Sequence, residues 1–316
     1  MDLRQLRAFA TIAELRSFAR AAAKLHLSQP ALSRQIQALE SGLGTLLFDR
    51  IGRRVQITAE GEDLLRLCRR LLVDAEALRE RARALKRGNA GILRVGATTQ
   101  VIENLLAGFL ESYQQDNPGI EVHLVEDGGA RLPTRLEQGD VHLAIMPAGN
   151  DFPGQLLYPM YLLAVASSAY PLTDGAFLEI EKLAERPVLL LGREFASRGW
   201  FEAGCQMAHI KPRVLLESAA PQTIVALARA NYGIAVVPSP VSIQRNGVHA
   251  VPLVHRGTPI GRWTTIAWHH QRFLPPYAEQ FVDEIAAKVR CDYPGRELVR
   301  DAPPIAKPNA MRDWRP

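Results

Sequence analysis

The chain has 316 residues, of which 47% are hydrophobic and 22% charged, enough for two or three globular domains. No uninterrupted apolar run reaches the ~18 residues of a membrane span, and the opening stretch MDLRQLRAFATIAELRSF places Asp2, Arg4, Arg7 and Glu14 where a signal peptide needs an apolar centre, so a cytoplasmic protein with no membrane contact is expected. The three cysteines, Cys68, Cys205 and Cys291, are too few and too scattered for a disulfide framework or a metal site, whereas the charge points to a polyanion: residues 1–88 hold 17 Lys/Arg against 10 Asp/Glu, a net +7 within a chain total of +5.

Residues 1–58 read as three short helices followed by a hairpin. Leu3, Leu6, Phe9, Ala10 and Ala13 give the first helix one buried face, Ser17 can cap the second, and Ser28 can cap the third, with Pro30 in the first turn where no donor is needed. On the third helix Leu32, Ile36 and Leu39 must point inward. Gln29, Ser33 and Gln37 repeat every fourth residue on the opposite side, flanked by Pro30 and Arg34. That polar face fits an ordinary solvated surface or the DNA major groove, where amide side chains can bond adenine edges and Ser or Arg can fix the register on phosphate. The stretch LLFDRIGRRVQIT then reads as a two-stranded wing whose tip carries Arg50, Arg53 and Arg54. Together these elements compose a winged helix-turn-helix.

The run FARAAAKLHLSQPALSRQIQALESGLGTLLFDRIGRRVQITAEG resembles, without a gap, the N-terminal signature of LysR-type transcriptional regulators. The resemblance implies that Ser28, Gln29, Pro30, Ser33 and Arg34 face DNA and that Arg50, Arg53 or Arg54 reach phosphate or minor groove. It also implies a regulator that meets double-stranded DNA, a small-molecule effector, RNA polymerase and other copies of itself.

Residues 59–88 lack proline and read as one long linker helix begun by Thr58. Leu64, Cys68, Leu71, Ala75, Leu78, Ala82 and Leu85 alternate at spacings of four and three, a coiled-coil seam suited to dimerisation, with a helix packed on its own domain as the alternative. LysR-like proteins dimerise through this segment, so a homodimer or homotetramer on a pseudo-palindromic site is expected. Cys68 on that seam is read as a small apolar residue rather than a redox cross-link.

From residue 89 to 291 strands and helices alternate. ILRVGA, IEVHLVED and VHLAIM with their intervening helices form one α/β unit; PVLLLG, RVLLE and GIAVVP form a second, and the chain returns through GRWTTIAWHH. This predicts two lobes, one of about 89–162 plus 267–291 and the other of about 163–266, joined by crossing strands near 161–166 and 263–268. The pair resembles the effector domain of LysR regulators, which is similar to periplasmic binding proteins, with the ligand between the lobes.

Ala97, Thr98, Thr99 and Gln100 end the first strand at the cleft mouth, where hydroxyls and unpaired helix N–H groups suit an anion; helix capping alone is the other reading of the threonines. Asp127, Gly128, Gly129 and Pro147 are further candidates, as are Phe195, Ser197 and Arg198 in the second lobe, with Arg198 either pairing a ligand carboxylate or lying on the surface. Peroxide-sensing relatives carry a reactive cysteine pair in this region, but here only Cys205 is present and Ala196 stands where its partner would be. No nucleophile elbow, Walker loop, dinucleotide fingerprint or metal-ligand cluster occurs, so no enzymatic activity, cofactor or metal is expected. Residues 292–316, rich in proline and poor in apolar side chains, read as a disordered tail.

Overall fold

The computed structural model describes residues 1–51, 54–87, 91–149, 151–169, 172–173, 175–244 and 246–308, apart from the side chains of residues 50, 51, 54, 80, 81 and 83–87. The chain divides into two compact units, Met1–Gly88 and Asn89–Pro316.

In the first unit, α1 (Leu3–Leu15) begins with a reciprocal capping box between Asp2 and Gln5. Helix α2 (Phe18–Lys24) is capped by the Ser17 hydroxyl and α3 (Gln29–Leu43) by that of Ser28, each accepting a backbone N–H of the first turn at 3.3 Å. Strands β1 (Phe48–Ile51) and β2 (Arg54–Ile57) pair antiparallel as the wing. Leu6, Phe9, Ile12, Leu32, Ile36 and Leu39 close one core, into which Phe48 brings the wing by edge-on contacts with Phe9 and Phe18. The Thr58 hydroxyl joins wing to linker by donating to the Leu46 carbonyl while accepting the Gly61 N–H, which starts α4 (Ala59–Arg87).

At the first two positions of the heptad repeat the alternative reading applies: Leu64 and Cys68 pack on this unit's own core. The Cys68 thiol donates to the Leu6 carbonyl at 3.3 Å, and burial pushes its pKa up to about 11. Leu72 still packs on that core, whereas Leu67, Leu71 and Leu78 are exposed, Leu78 by 72%, and Ala75 is half-buried. The side chain of Leu85 lies outside the described residues.

The second unit opens with β3 (Gly91–Ala97), then α5 (Thr99–Val101), a π-helical turn over Ile102–Leu106 and α6 (Ala107–Asp116). There follow β4 (Ile120–Glu126), α7 (Leu132–Gln138), β5 (Leu143–Pro147), β6 (Gly154–Ser167), β7 (Leu178–Glu179), β8 (Pro187–Leu191), α8 (Ala196–Met207), β9 (Arg213–Ser218), α9 (Pro221–Arg229), β10 (Ile234–Pro238), β11 (Val248–His255), β12 (Thr258–Pro259), β13 (Gly261–Ala267) and α10 (Pro276–Cys291). The sheet runs β4-β3-β5-β13-β6 in one lobe and β6-β10-β8-β9 in the other, with β11 also on β6. Strand β6 therefore serves both lobes: its first half, through Tyr161, pairs with β13, and from Leu162 onward it pairs with β10.

Two expectations need correction. The return crossing lies at Ile260/Gly261 rather than near 266, because β13 pairs along its length with β5 and the first half of β6, while Ile260 packs in the second lobe's core. Residues 292–308 are ordered rather than disordered. Tyr293 stacks on Tyr158 with ring centroids 5.3 Å apart, Val299 enters the second lobe's core, and the Pro303 and Ile305 carbonyls accept the Tyr161 hydroxyl and Trp263 indole N–H at 3.0 Å. Few apolar anchors are needed because each docks on a surface the lobes already present. Residues 309–316 lie outside the described ones.

Candidate DNA-binding surface and effector cleft

Helix α3 divides as its spacing requires. Leu32, Ile36 and Leu39 are buried, while Ser28, Gln29, Pro30, Arg34 and Gln37 are exposed and Ser33 is half-buried on the opposite side. The glycine after Leu43, at φ +71°, ends the helix in the left-handed turn favoured there. The Glu40 carboxylate accepts the Leu47 N–H at 2.8 Å and fixes where the wing begins relative to α3. Of the wing arginines, Arg53 and the side chains of Arg50 and Arg54 lie outside the described residues.

Between the lobes of the second unit lies a cleft with free volume of only about 30 Å³, lined by Thr98, Gln100, Gly129, Pro147, Phe195 and Ser197, all candidates from the sequence, and by Met160, Trp200, Pro238 and Thr264 besides. Both helices that start at it lack a side-chain cap. Thr98 and Phe195 occupy the N-cap positions without bonding the first turn, so capping is not what the Thr98 hydroxyl does.

Two expected residues are elsewhere. The Thr99 hydroxyl donates to the Glu126 carboxylate outside the cleft lining. Arg198 is buried behind α8, with Nε on Glu202 at 2.8 Å, one terminal nitrogen on Glu217 at 2.7 Å and the other on the Leu191 carbonyl at 3.0 Å. Burial alone would lower its pKa, but the two carboxylates raise it, so the guanidinium is a charged strut between α8, β8 and β9 rather than a ligand clamp. Asp127 is engaged too, with Arg135 at 2.8 Å.

Thr264 was missed. It is fully buried in the cleft wall beside the Tyr158 phenol, yet its hydroxyl makes no well-formed hydrogen bond. The polar pair Thr264-Thr265 between the apolar Trp263 and Ile266 was the available signal.

The lobes touch across the cleft. The Asn104 amide donates to the Pro240 carbonyl at 2.9 Å and, more weakly, the Ala130 N–H points to the Glu194 carbonyl at 3.5 Å. A Cβ on Gly128 would stand 2.5 Å from that Glu194 oxygen. Cys205 is buried and its thiol pushed up to about 11 by burial first and by Glu202 second, the opposite of what a peroxide-reactive thiolate requires.

Two family models match the chain: the lysR-family bacterial regulatory helix-turn-helix over residues 3–62 and the LysR substrate binding domain over 86–290. The chain belongs to the LysR family. It is 33% identical over 282 residues to the HTH-type transcriptional regulator IlvR of Caulobacter vibrioides, covering 87% of this chain and 94% of that one. It is 32% identical to ClcR of Pseudomonas putida, over 77% and 84% respectively. Among solved structures, a full-length OxyR variant from Pseudomonas aeruginosa superposes with TM-score 0.68 at 25% identity, covering 92% of this chain and 95% of that one. CbnR in complex with its target DNA gives 0.63 at 26%, covering 91% and 99%. The chain is thus a DNA-binding transcriptional regulator with an effector-binding domain, in a family whose named members are regulators rather than enzymes. No helix among the described residues is long and apolar enough to cross a membrane.

Proposed function

We propose that this regulator binds a pseudo-palindromic promoter site as a dimer or a pair of dimers, and that a small anionic effector held between the lobes changes how it contacts DNA and RNA polymerase. The observation that carries the sensing half is the cleft wall itself. The Thr264 hydroxyl, buried beside the Tyr158 phenol without a well-formed hydrogen bond, lines a space bounded by two helix starts whose caps make no side-chain bond, an arrangement of donors suited to carboxylate oxygens. The anion is held by helix N–H groups and hydroxyls, since Arg198 is committed to Glu202 and Glu217. Thermal-shift screening of small carboxylates against the full chain, followed by footprinting at the promoter beside its own gene, tests both halves; stabilisation by neutral compounds alone would overturn the anionic assignment.

The DNA half rests on the exposed face of α3. Gln29→Ala is expected to cost about 1 to 3 kcal/mol of specific binding with little change in salt dependence, whereas Arg34→Ala should weaken binding to all sequences and flatten the salt slope by about one unit. Gel-shift titrations at several salt concentrations separate the two roles.

Dimerisation rests on the leucines that α4 leaves uncovered. Leu78→Glu is expected to shift the protein toward monomer in sedimentation equilibrium and to lower affinity for a full site far more than for a half-site. Because Leu78 touches no core of its own unit, folding should be unaffected.

A further inference from the structure

Beside the hinge, lined by residues of both lobes, lies a cavity of about 960 Å³, much larger than the interlobe cleft. The outer face of α8 forms one wall with Trp200 and Met207; the β11–β12 turn, the start of β13 and the ordered C-terminal segment complete it. Its chemistry is sharply divided. Its lining brings together two half-buried indoles, Trp200 and Trp263, and three exposed cations, Arg256, Arg262 and Lys307.

Among the described residues none of these three cations forms an ion pair, although Arg256 stands within electrostatic reach of Glu181. The acids nearest the turn are already engaged. Glu179 accepts the backbone N–H groups of Arg256 and Gly257 at 2.8 and 2.9 Å, and Glu181 pairs with His255 at 2.7 Å. The Lys307 ammonium sits 5.4 Å from the centre of the Trp263 ring, so the indole stabilises the cation without cancelling its net charge. A fold that gathers three cations beside two indoles raises the local potential for an anion, and the apolar walls favour one with a flat hydrophobic body over an inorganic phosphate.

We propose that this cavity is a second ligand site, separate from the interlobe cleft, that takes an organic anion with a flat apolar body, an aryl carboxylate. Its carboxylate pairs with Arg256 and Arg262 while its ring lies against Trp200. The site is built from the hinge strand β13 and the C-terminal segment on one side and α8 on the other, and Trp200 lines both it and the cleft. A ligand here therefore bears on the helix whose start faces the effector.

The test is calorimetric titration of the full-length protein with naphthoate, using neutral naphthamide as the isostere. The expected result is naphthoate binding that weakens about tenfold or more in an Arg256→Gln/Arg262→Gln protein and for the amide, as charge-assisted pairing requires. It should persist in Gly129→Leu, which fills the cleft instead. Absence of naphthoate binding, equal affinity for the amide, indifference to the double substitution, or loss in Gly129→Leu would each overturn the proposal, the last by placing the ligand in the cleft. Because Arg256 and Arg262 are exposed, their exchange for glutamine leaves the core intact.

Discussion

Gly128→Val is expected to leave basal promoter binding intact and to abolish the response to effector. The backbone at Gly128 passes the Glu194 carbonyl so closely that even a Cβ would stand 2.5 Å from it, and the obstacle is main chain, which cannot rotate away. The loops after β4 and β8 must separate, at a cost of about 1 to 3 kcal/mol in the closed arrangement alone. Since a ligand shifts an equilibrium only by its preference for one state, removing the closed state removes the switch. Footprints with and without ligand, compared with wild type, check this; a retained ligand-dependent footprint would show that closure at these loops is not the signal. Asn104→Ala, which deletes the bond to Pro240, should weaken closure by a smaller amount.

Leu39→Ala is expected to cost about 2 to 5 kcal/mol, because the side chain is wholly buried where α3 meets α1 and the wing. For a unit of this size that lowers its melting temperature by about 10 °C or more. The second unit has separate cores, so its transition should not move. Differential scanning calorimetry should show one displaced transition and one unchanged, and DNA binding should fail at temperatures where effector binding persists.

What the amino-acid order disclosed was what is decided locally. Ser17, Ser28 and Thr58 cap within a few residues of themselves, and the alternation of Leu32, Ile36 and Leu39 with Gln29, Ser33 and Gln37 needs no distant partner. The strands of both lobes were legible as short apolar runs between helices. The failures share a cause in distance along the chain. Arg198 is claimed partly by Glu217, 19 residues on. Cys68 meets Leu6, 62 residues away, and the same heptad phase that describes a partner-facing seam also describes packing on a helix of the same chain. The tail's composition hid its order because Tyr293, Val299 and Ile305 work by docking on β6, the second lobe and β13, which no local pattern records.

The narrowness of the interlobe cleft sets a tempo. A space of about 30 Å³ accommodates a water molecule or two and no carboxylic acid, so the effector proposed for it would enter only while the lobes stand apart. Its capture rate then rises with concentration only until it meets the rate of lobe opening, and beyond that point more ligand shortens no delay. On the proposed function, the hinge formed by β6 and β13, and the C-terminal segment laid across it, would act as the clock of the response.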